Sequence, residues 1–261
     1  MIQLPSPALI GVVHLAPLPG SVRHILSMDE IIDRAINDAR SLQEAGFDAL
    51  IVENYGDMPF TSTGLPPASI AAMTVVADRV RRETHLPLGI NGLRNDAISA
   101  LGIAAAVGAV FIRVNVHTGV YATDQGIIEG QAHETLQYRK QLGAKIGILA
   151  DVNVKHAIPL SEPDIASAAK DVAYRGLADG LVITGPATGE AADFQELERV
   201  RDAVPDRRVF VGSGVTQETV AAILVVANGV IVGTAIKLDG KTSNPVDPQR
   251  AKALAQAAGR G

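Results

Sequence analysis

Two glycine-rich segments in the last quarter of the chain carry the residue types that hold an anion. They read Val209-Phe210-Val211-Gly212-Ser213-Gly214-Val215-Thr216 and Val230-Ile231-Val232-Gly233-Thr234-Ala235. Each is an apolar run too short for a helix, closed by small residues over which backbone N–H groups can approach an oxyanion. A helical pattern follows each, so a helix start adds its unpaired donors nearby. Ser213, Gly214, Gly233 and Thr234 are therefore the expected phosphate-binding residues, with Thr216 and Lys237 as neighbouring donors. The competing reading is that these glycines only permit tight turns.

A second group of residues has acid–base potential. Glu53 ends the apolar run Leu50-Ile51-Val52, and Asp151 ends Gly147-Ile148-Leu149-Ala150. A carboxylate at the end of such a run is part-desolvated, which raises its pKa toward values useful to a general base. Glu53 and Asp151 are the candidate catalytic carboxylates. The two are also weak candidates for sharing a divalent metal ion with Asn153 or His156. Equally, Arg113 can neutralise either of them as a structural pair. Asn91, Arg113 and Asn115 are placed to orient hydroxyl groups or to steady a developing oxyanion. His14, Asn54, Asn153, Lys155, His156 and Thr184 follow other apolar runs and are further substrate-binding candidates, and His117 joins them. Lys155 invites an imine mechanism, but it lies past the end of its run. The chain contains no Ser-x-Gly elbow, HExxH or CxxC, so triad hydrolases and zinc proteases have no support.

The elements that must position these groups follow from a recurring junction. Gly46-Phe47-Asp48-Ala49-Leu50-Ile51-Val52, Gly108-Ala109-Val110-Phe111-Ile112, Gly180-Leu181-Val182-Ile183 and Gly229-Val230-Ile231-Val232 each couple a helix-stopping glycine to an aliphatic run. Runs of that kind read as strands buried on both faces. The expected strands cover 9–15, 49–54, 88–92, 110–115, 145–152, 180–185, 208–214 and 229–234. Helical patterns cover 28–45, 67–83, 95–107, 128–142, 162–176, 193–203, 216–226 and 246–258. Ser27, Asn95, Ser161 and Thr216 are expected N-caps, Ser27 with Glu30 in a capping box. Eight strand–helix units favour one α/β domain over residues 1–261, a (β/α)₈ (TIM) barrel with phosphate-binding turns after strands seven and eight. Right-handed crossovers then bring every candidate residue to one face. The polar stretch Val116–Gly126, after strand four, and Tyr55–Pro67, after strand two, are expected lids over that face.

Composition narrows the partners. The chain has 261 residues, a net charge of −5, 47% hydrophobic residues and 3% aromatics. It offers no basic cluster for duplex nucleic acid and few stacking platforms for bases. It has no cysteine, which removes disulfides and thiolate chemistry. No uncharged apolar run is long enough to insert in a membrane, and Met1–Pro5 lacks a secretory pattern. The expectation is a cytoplasmic protein that binds a phosphorylated small molecule, with Ala-rich helix surfaces that would permit a homo-oligomer. No cofactor is implied beyond the metal ion considered above.

Written out in order, the strand ends resemble the BtpA family. The matching stretches are Gly11-Val12-Val13-His14-Leu15-Ala16-Pro17-Leu18-Pro19-Gly20, Val52-Glu53-Asn54-Tyr55-Gly56-Asp57-Met58-Pro59-Phe60 and Arg113-Val114-Asn115. Asp124-Gln125-Gly126-Ile127-Ile128-Glu129-Gly130, Ala150-Asp151-Val152-Asn153-Val154-Lys155-His156-Ala157, Thr184-Gly185 and Gly212-Ser213-Gly214-Val215-Thr216 complete the set. The resemblance implies a ribulose-phosphate-binding type of barrel. It implies no defined reaction, because the family takes its name from photosystem I biogenesis while other members accompany carbohydrate genes. Two functions remain open. One is an enzyme acting on a sugar phosphate or a nucleoside-like metabolite by isomerisation, carbon–carbon cleavage or glycosidic cleavage. The other is a non-catalytic binding or assembly factor of the photosystem I biogenesis type.

Overall fold

A computed structural model describes residues 4–152, 154, 157–161, 164–185 and 193–260. Eight parallel strands close into a barrel, and the chain reaches them in alternation with helices. The first half runs β1 (Ala8–His14), α1 (Met28–Ala45), β2 (Ala49–Glu53), α2 (Pro67–Glu83), β3 (Leu88–Asn91), α3 (Ala97–Val107) and β4 (Phe111–Val114). A hairpin of β5 (Val120–Thr123) and β6 (Gly126–Glu129) interrupts the alternation before α4 (Ala132–Leu142), β7 (Gly147–Asp151) and the short β8 (Ala157–Pro159). The chain continues through α5 (Ile165–Lys170), β9 (Gly180–Ile183), α6 (Phe194–Ala203), β10 (Arg208–Val211), α7 (Val220–Val226), β11 (Gly229–Val232) and α8 (Pro248–Ala257). The barrel order is β1-β11-β10-β9-β7-β4-β3-β2. The (β/α)₈ barrel expected from the alternating pattern is the fold observed.

Side-chain period decides what fills the barrel. Ile10, Val12, Ile51, Phe111, Leu149, Val182, Phe210 and Ile231 point inward and pack together, separate from the larger layer between strands and helices. The two phenylalanines fit because small residues face them. A Cβ on Gly89 would lie 2.2 Å from Phe111, and one on Gly229 2.8 Å from Phe210. Large and small residues thus interdigitate to fill the interior, as close packing requires.

The local signals acted largely as expected at α1. Ser27 and Glu30 form the reciprocal capping box, and Gly46 ends the helix in the left-handed region at φ 91°. Three other caps differ from expectation. Asp96, not Asn95, caps α3, because both polar atoms of Asn95 are committed to the Val116 backbone. Asp164 caps α5 in place of Ser161, and α7 starts only at Val220, after Thr219.

The larger difference lies at 116–130. The expected polar lid and the expected helix start at 128 are instead an antiparallel sheet in the order β6-β5-β8. Thr123 pairs with Gly126 across a two-residue turn, and Tyr121 pairs with Ile128 and Pro159. The sheet has its own small core of Val116, Tyr121, Ile128 and Val154. The Tyr121 hydroxyl donates to the Val152 carbonyl at 3.1 Å, which ties the sheet to the barrel rim. Helix α4 therefore starts four residues later than its apolar pattern suggested.

Candidate functional site

Strand register builds the site. His14 pairs with Glu53, Glu53 with Asn91, and Asn91 with Arg113, across the C-terminal ends of four neighbouring strands. All four continue the inward parity of Val12, Ile51, Gly89 and Phe111, so they form a polar layer on top of the apolar one. Asp151 joins them from β7. Each carboxylate is held in place. Asn91 Nδ2 donates to Glu53 Oε2 at 2.6 Å, and His14 Nε2 lies 3.5 Å from Glu53 Oε1. Arg113 donates to both oxygens of Asp151, Nε to Oδ1 at 2.9 Å and Nη2 to Oδ2 at 3.0 Å. Asn115 Nδ2 adds a third bond to Oδ2 at 3.0 Å.

Glu53 and Asp151 therefore differ in kind. Asp151 has both oxygens taken by a buried guanidinium and an amide, which is the structural pairing anticipated as the alternative for Arg113. Burial works against the Arg113 charge, but the Asp151 carboxylate overrides it and raises the guanidinium's pKa. Glu53 instead lies against an imidazole and faces an open cavity. The idea of a cation shared by Glu53 and Asp151 does not fit these partners, and no three acidic or histidine side chains gather at ligating distance among the described residues. Asn153, Lys155 and His156 lie outside the described residues.

The glycines of the last two strand ends face this layer. A Cβ on Gly233 would come within 2.7 Å of His14 Cε1, and one on Gly212 within 3.2 Å of Arg113 Nη2 and 2.6 Å of Val182 Cγ1. Their bareness makes room for His14 and Arg113. Gly214 is a different case, since its φ of 69° is the left-handed conformation of a tight turn. After β11 a 3₁₀ turn covers Thr234–Ile236, and Thr234 shares a hydroxyl hydrogen bond of 2.9 Å with Thr242.

These pieces enclose one cavity of about 600 Å³. His14, Glu53, Tyr55 and Arg113 line its inner end; Ser213, Gly214, Thr216, Gly233 and Thr234 line its wall. The cavity thus unites the candidate base with all four expected phosphate-turn residues. Asn91, Asn115 and Asp151 stand behind Glu53 and Arg113 and do not line it. Thr184 is buried beside Gly212 and also stands outside it.

Three expected donors are placed elsewhere. Asn54 is fully buried and locks the loop after β3, accepting from Leu93 N at 2.7 Å and donating to Leu93 O and Asp57. Lys237 points away from the cavity into a buried ion pair, with Nζ 2.7 Å from Asp38 Oδ2. His117 is buried with Nε2 2.8 Å from the Gly176 carbonyl. Conversely, the cavity includes residues not expected to bind the ligand, Tyr55 among them as the first residue of an expected lid. The Tyr55 ring lies 4.9 Å from that of His14, and Gln217, Glu218, Thr242, Gln249 and Arg250 form the outer rim. Tyr55 directly follows Glu53-Asn54, so its position past a strand end was the available signal. Arg250 sits in a helix whose start carries no strand-end signal.

Comparison with known proteins places this geometry in a family. The BtpA family pattern matches residues 6–260. The Photosystem I biogenesis protein BtpA of Synechocystis sp. is 47% identical over 253 residues, covering 97% of this chain and 88% of that protein. A relative from Pyrococcus furiosus is 52% identical over 246 residues, covering 94% of this chain and 92% of its own. Among solved structures, the tryptophan synthase A-subunit of Pyrococcus furiosus superposes with a TM-score of 0.62 at 17% identity, covering 98% of this chain and 100% of that one, which is a likeness of fold. No helix among the described residues is long and apolar enough to cross a membrane. The chain belongs to the BtpA family.

Proposed function

We propose that the protein is an enzyme acting on a phosphorylated small metabolite, a sugar phosphate or a nucleoside-like compound. The observation that carries this reading is the single cavity in which Glu53 and the turns after β10 and β11 meet. The phosphate rests on backbone donors of Ser213, Gly214, Gly233 and Thr234, and the reacting carbon lies toward Glu53. Glu53 is the acid/base group. His14, beside its Oε1, is placed to relay the proton, and Asn91 fixes the carboxylate through Oε2. Asp151 and Asn115 are positioning residues, because they act through Arg113, whose edge reaches the cavity. Isomerisation, carbon–carbon cleavage and glycosidic cleavage all use an acid/base at this place.

The test is thermal unfolding with a panel of sugar phosphates and nucleotides. A ligand at 100 times its Kd adds about 2.7 kcal/mol, or roughly 5–10 °C for a domain of this length. A shift with one phosphorylated compound, absent with its dephosphorylated form, names the substrate to assay. Glu53→Gln should keep that shift and lose turnover; full activity in this variant would remove Glu53 from the mechanism.

A second reading, a non-catalytic assembly factor, draws on the name of the Synechocystis relative and on one surface. Ile127, Ile158 and Leu160 lie exposed on the outer sheet, an apolar patch suited to a protein partner. It expects no turnover of any compound that shifts the unfolding midpoint, and a partner lost on Ile158→Lys.

A further inference from the structure

The proposed phosphate cradle is made of backbone donors, and a cation beside it would add charge-assisted hydrogen bonds to a phosphate dianion. Three cationic or cationisable side chains line the cavity: His14, Arg113 and Arg250. His14 lies against Glu53, and Arg113 is bound by both oxygens of Asp151. Arg250 differs, having no carboxylate within ion-pair distance among the described residues. Its Nε donates to the Ala235 carbonyl at 3.0 Å, which anchors the guanidinium beside the Gly233–Thr234 turn on the cavity lining, with Nη2 near Gly240. The first-turn amides of α8 are meanwhile occupied by the Asp247 carboxylate, which accepts from Gln249 N at 2.8 Å and Arg250 N at 3.3 Å. The cation of this rim is the Arg250 side chain, not the helix end.

Glu218 also lines the cavity and is exposed. Its pKa is held below the ordinary glutamate value, first by the Thr216 side chain, then by its own backbone, with Arg250 contributing through its charge. Glu218 and Arg250 thus line the same cavity with opposite charges.

We propose that Arg250 is the charge partner of the phosphate and that Glu218 competes with the phosphate for it. The pair makes the outer end of the cavity selective for a strongly charged terminal phosphate over weaker anions, since the ligand must displace an existing attraction. This inference rests on the phosphate reading of the β10 and β11 turns. It adds a residue and a polarity: phosphate outward at α8, reacting carbon inward at Glu53.

Both side chains are surface-exposed in the full chain, so the variants Arg250→Gln and Glu218→Gln keep the fold. The probe is inorganic phosphate, titrated at constant ionic strength against the full-length protein and read by calorimetry and unfolding midpoint. The expected result is that Arg250→Gln weakens phosphate binding about tenfold or more, from the loss of a charged hydrogen-bonding partner. Glu218→Gln should tighten it by about two- to fivefold, the scale of a solvated charge contact. Phosphate binding unchanged in Arg250→Gln would overturn the role of Arg250 while leaving the backbone cradle in place. Weaker binding in Glu218→Gln would overturn the competition. Wild-type protein that binds neither inorganic phosphate nor any phosphorylated compound of the panel would remove the phosphate reading itself, and this inference with it.

Discussion

His14 touches both halves of the proposed chemistry, with Nε2 near Glu53 and Cε1 packed against Gly233. That contact explains why residue 233 has no side chain and why a single methyl group there is consequential. Gly233→Ala should cost about 1–3 kcal/mol, the usual range for overpacking, measured by urea unfolding. In a His14→Ala background most of that cost should vanish, because the clashing ring is gone; an undiminished cost would place the strain in the backbone. A second residue-scale prediction concerns Arg113 and Asp151, whose side chains are almost wholly buried. Asp151→Leu leaves a guanidinium uncompensated and should destabilise by about 3–5 kcal/mol. The double variant Arg113→Met with Asp151→Leu should recover a large part of that loss in stability, while still losing ligand binding. Recovery of stability without recovery of binding would separate the pair's structural role from its place at the cavity.

At the scale of elements, the turn after β11 is moored from outside the barrel. Lys237 is fully buried, and burial pushes its ammonium pKa down against the opposing pull of Asp38. Asp38, from α1, also accepts from Val246 N at 2.7 Å, so one carboxylate fixes both ends of the 237–246 segment. Lys237→Met should cost about 3–5 kcal/mol by leaving that carboxylate unpaired. It should also weaken phosphate binding by loosening Thr234–Ile236, whereas a stability loss with unchanged affinity would make the mooring irrelevant to the site. The same segment shows the reach of pattern reading. The aliphatic runs and their glycine stops located all eight barrel strands, since burial on both faces leaves few alternatives to a parallel strand. They also located His14, Glu53 and the β10 and β11 turns, because a strand's end fixes its residues' face. The destination of Lys237 was hidden: its partner stands 199 positions away in another helix, and no local period encodes that contact. The outer sheet was misread for a related reason. Val116–Gly126 is polar enough to read as a loop, and Ile128 fits a helix start as well as a strand, so only the pairing of β5 with β6 and β8 reveals the sheet.

For the whole molecule, stability responds to acid through one buried histidine. His117 lies between the end of β4 and the turn at Gly176, with the Thr118 and Gly130 backbones closely packed beside it. Burial lowers its pKa below 6.5, outweighing the Gly176 carbonyl, and Asp179 opposes that shift only weakly. The unfolded chain has no such burial, so between the folded value and about 6.5 it binds more protons than the native state. The His117 contribution to stability is therefore full above about 6.5, is lost as pH falls through this window, and changes no further below the folded value. One proton sets a ceiling of about 1.4 kcal/mol per pH unit. Carboxylates elsewhere in the chain contribute their own slope, so the informative quantity is the difference between wild type and His117→Gln. Urea midpoints measured at pH 7 and pH 5 should differ more in the wild type than in the variant. Equal differences would mean that His117 is protonated as readily in the folded protein as in the unfolded chain. That outcome would mean that water reaches the imidazole or that Asp179 offsets the effect of burial.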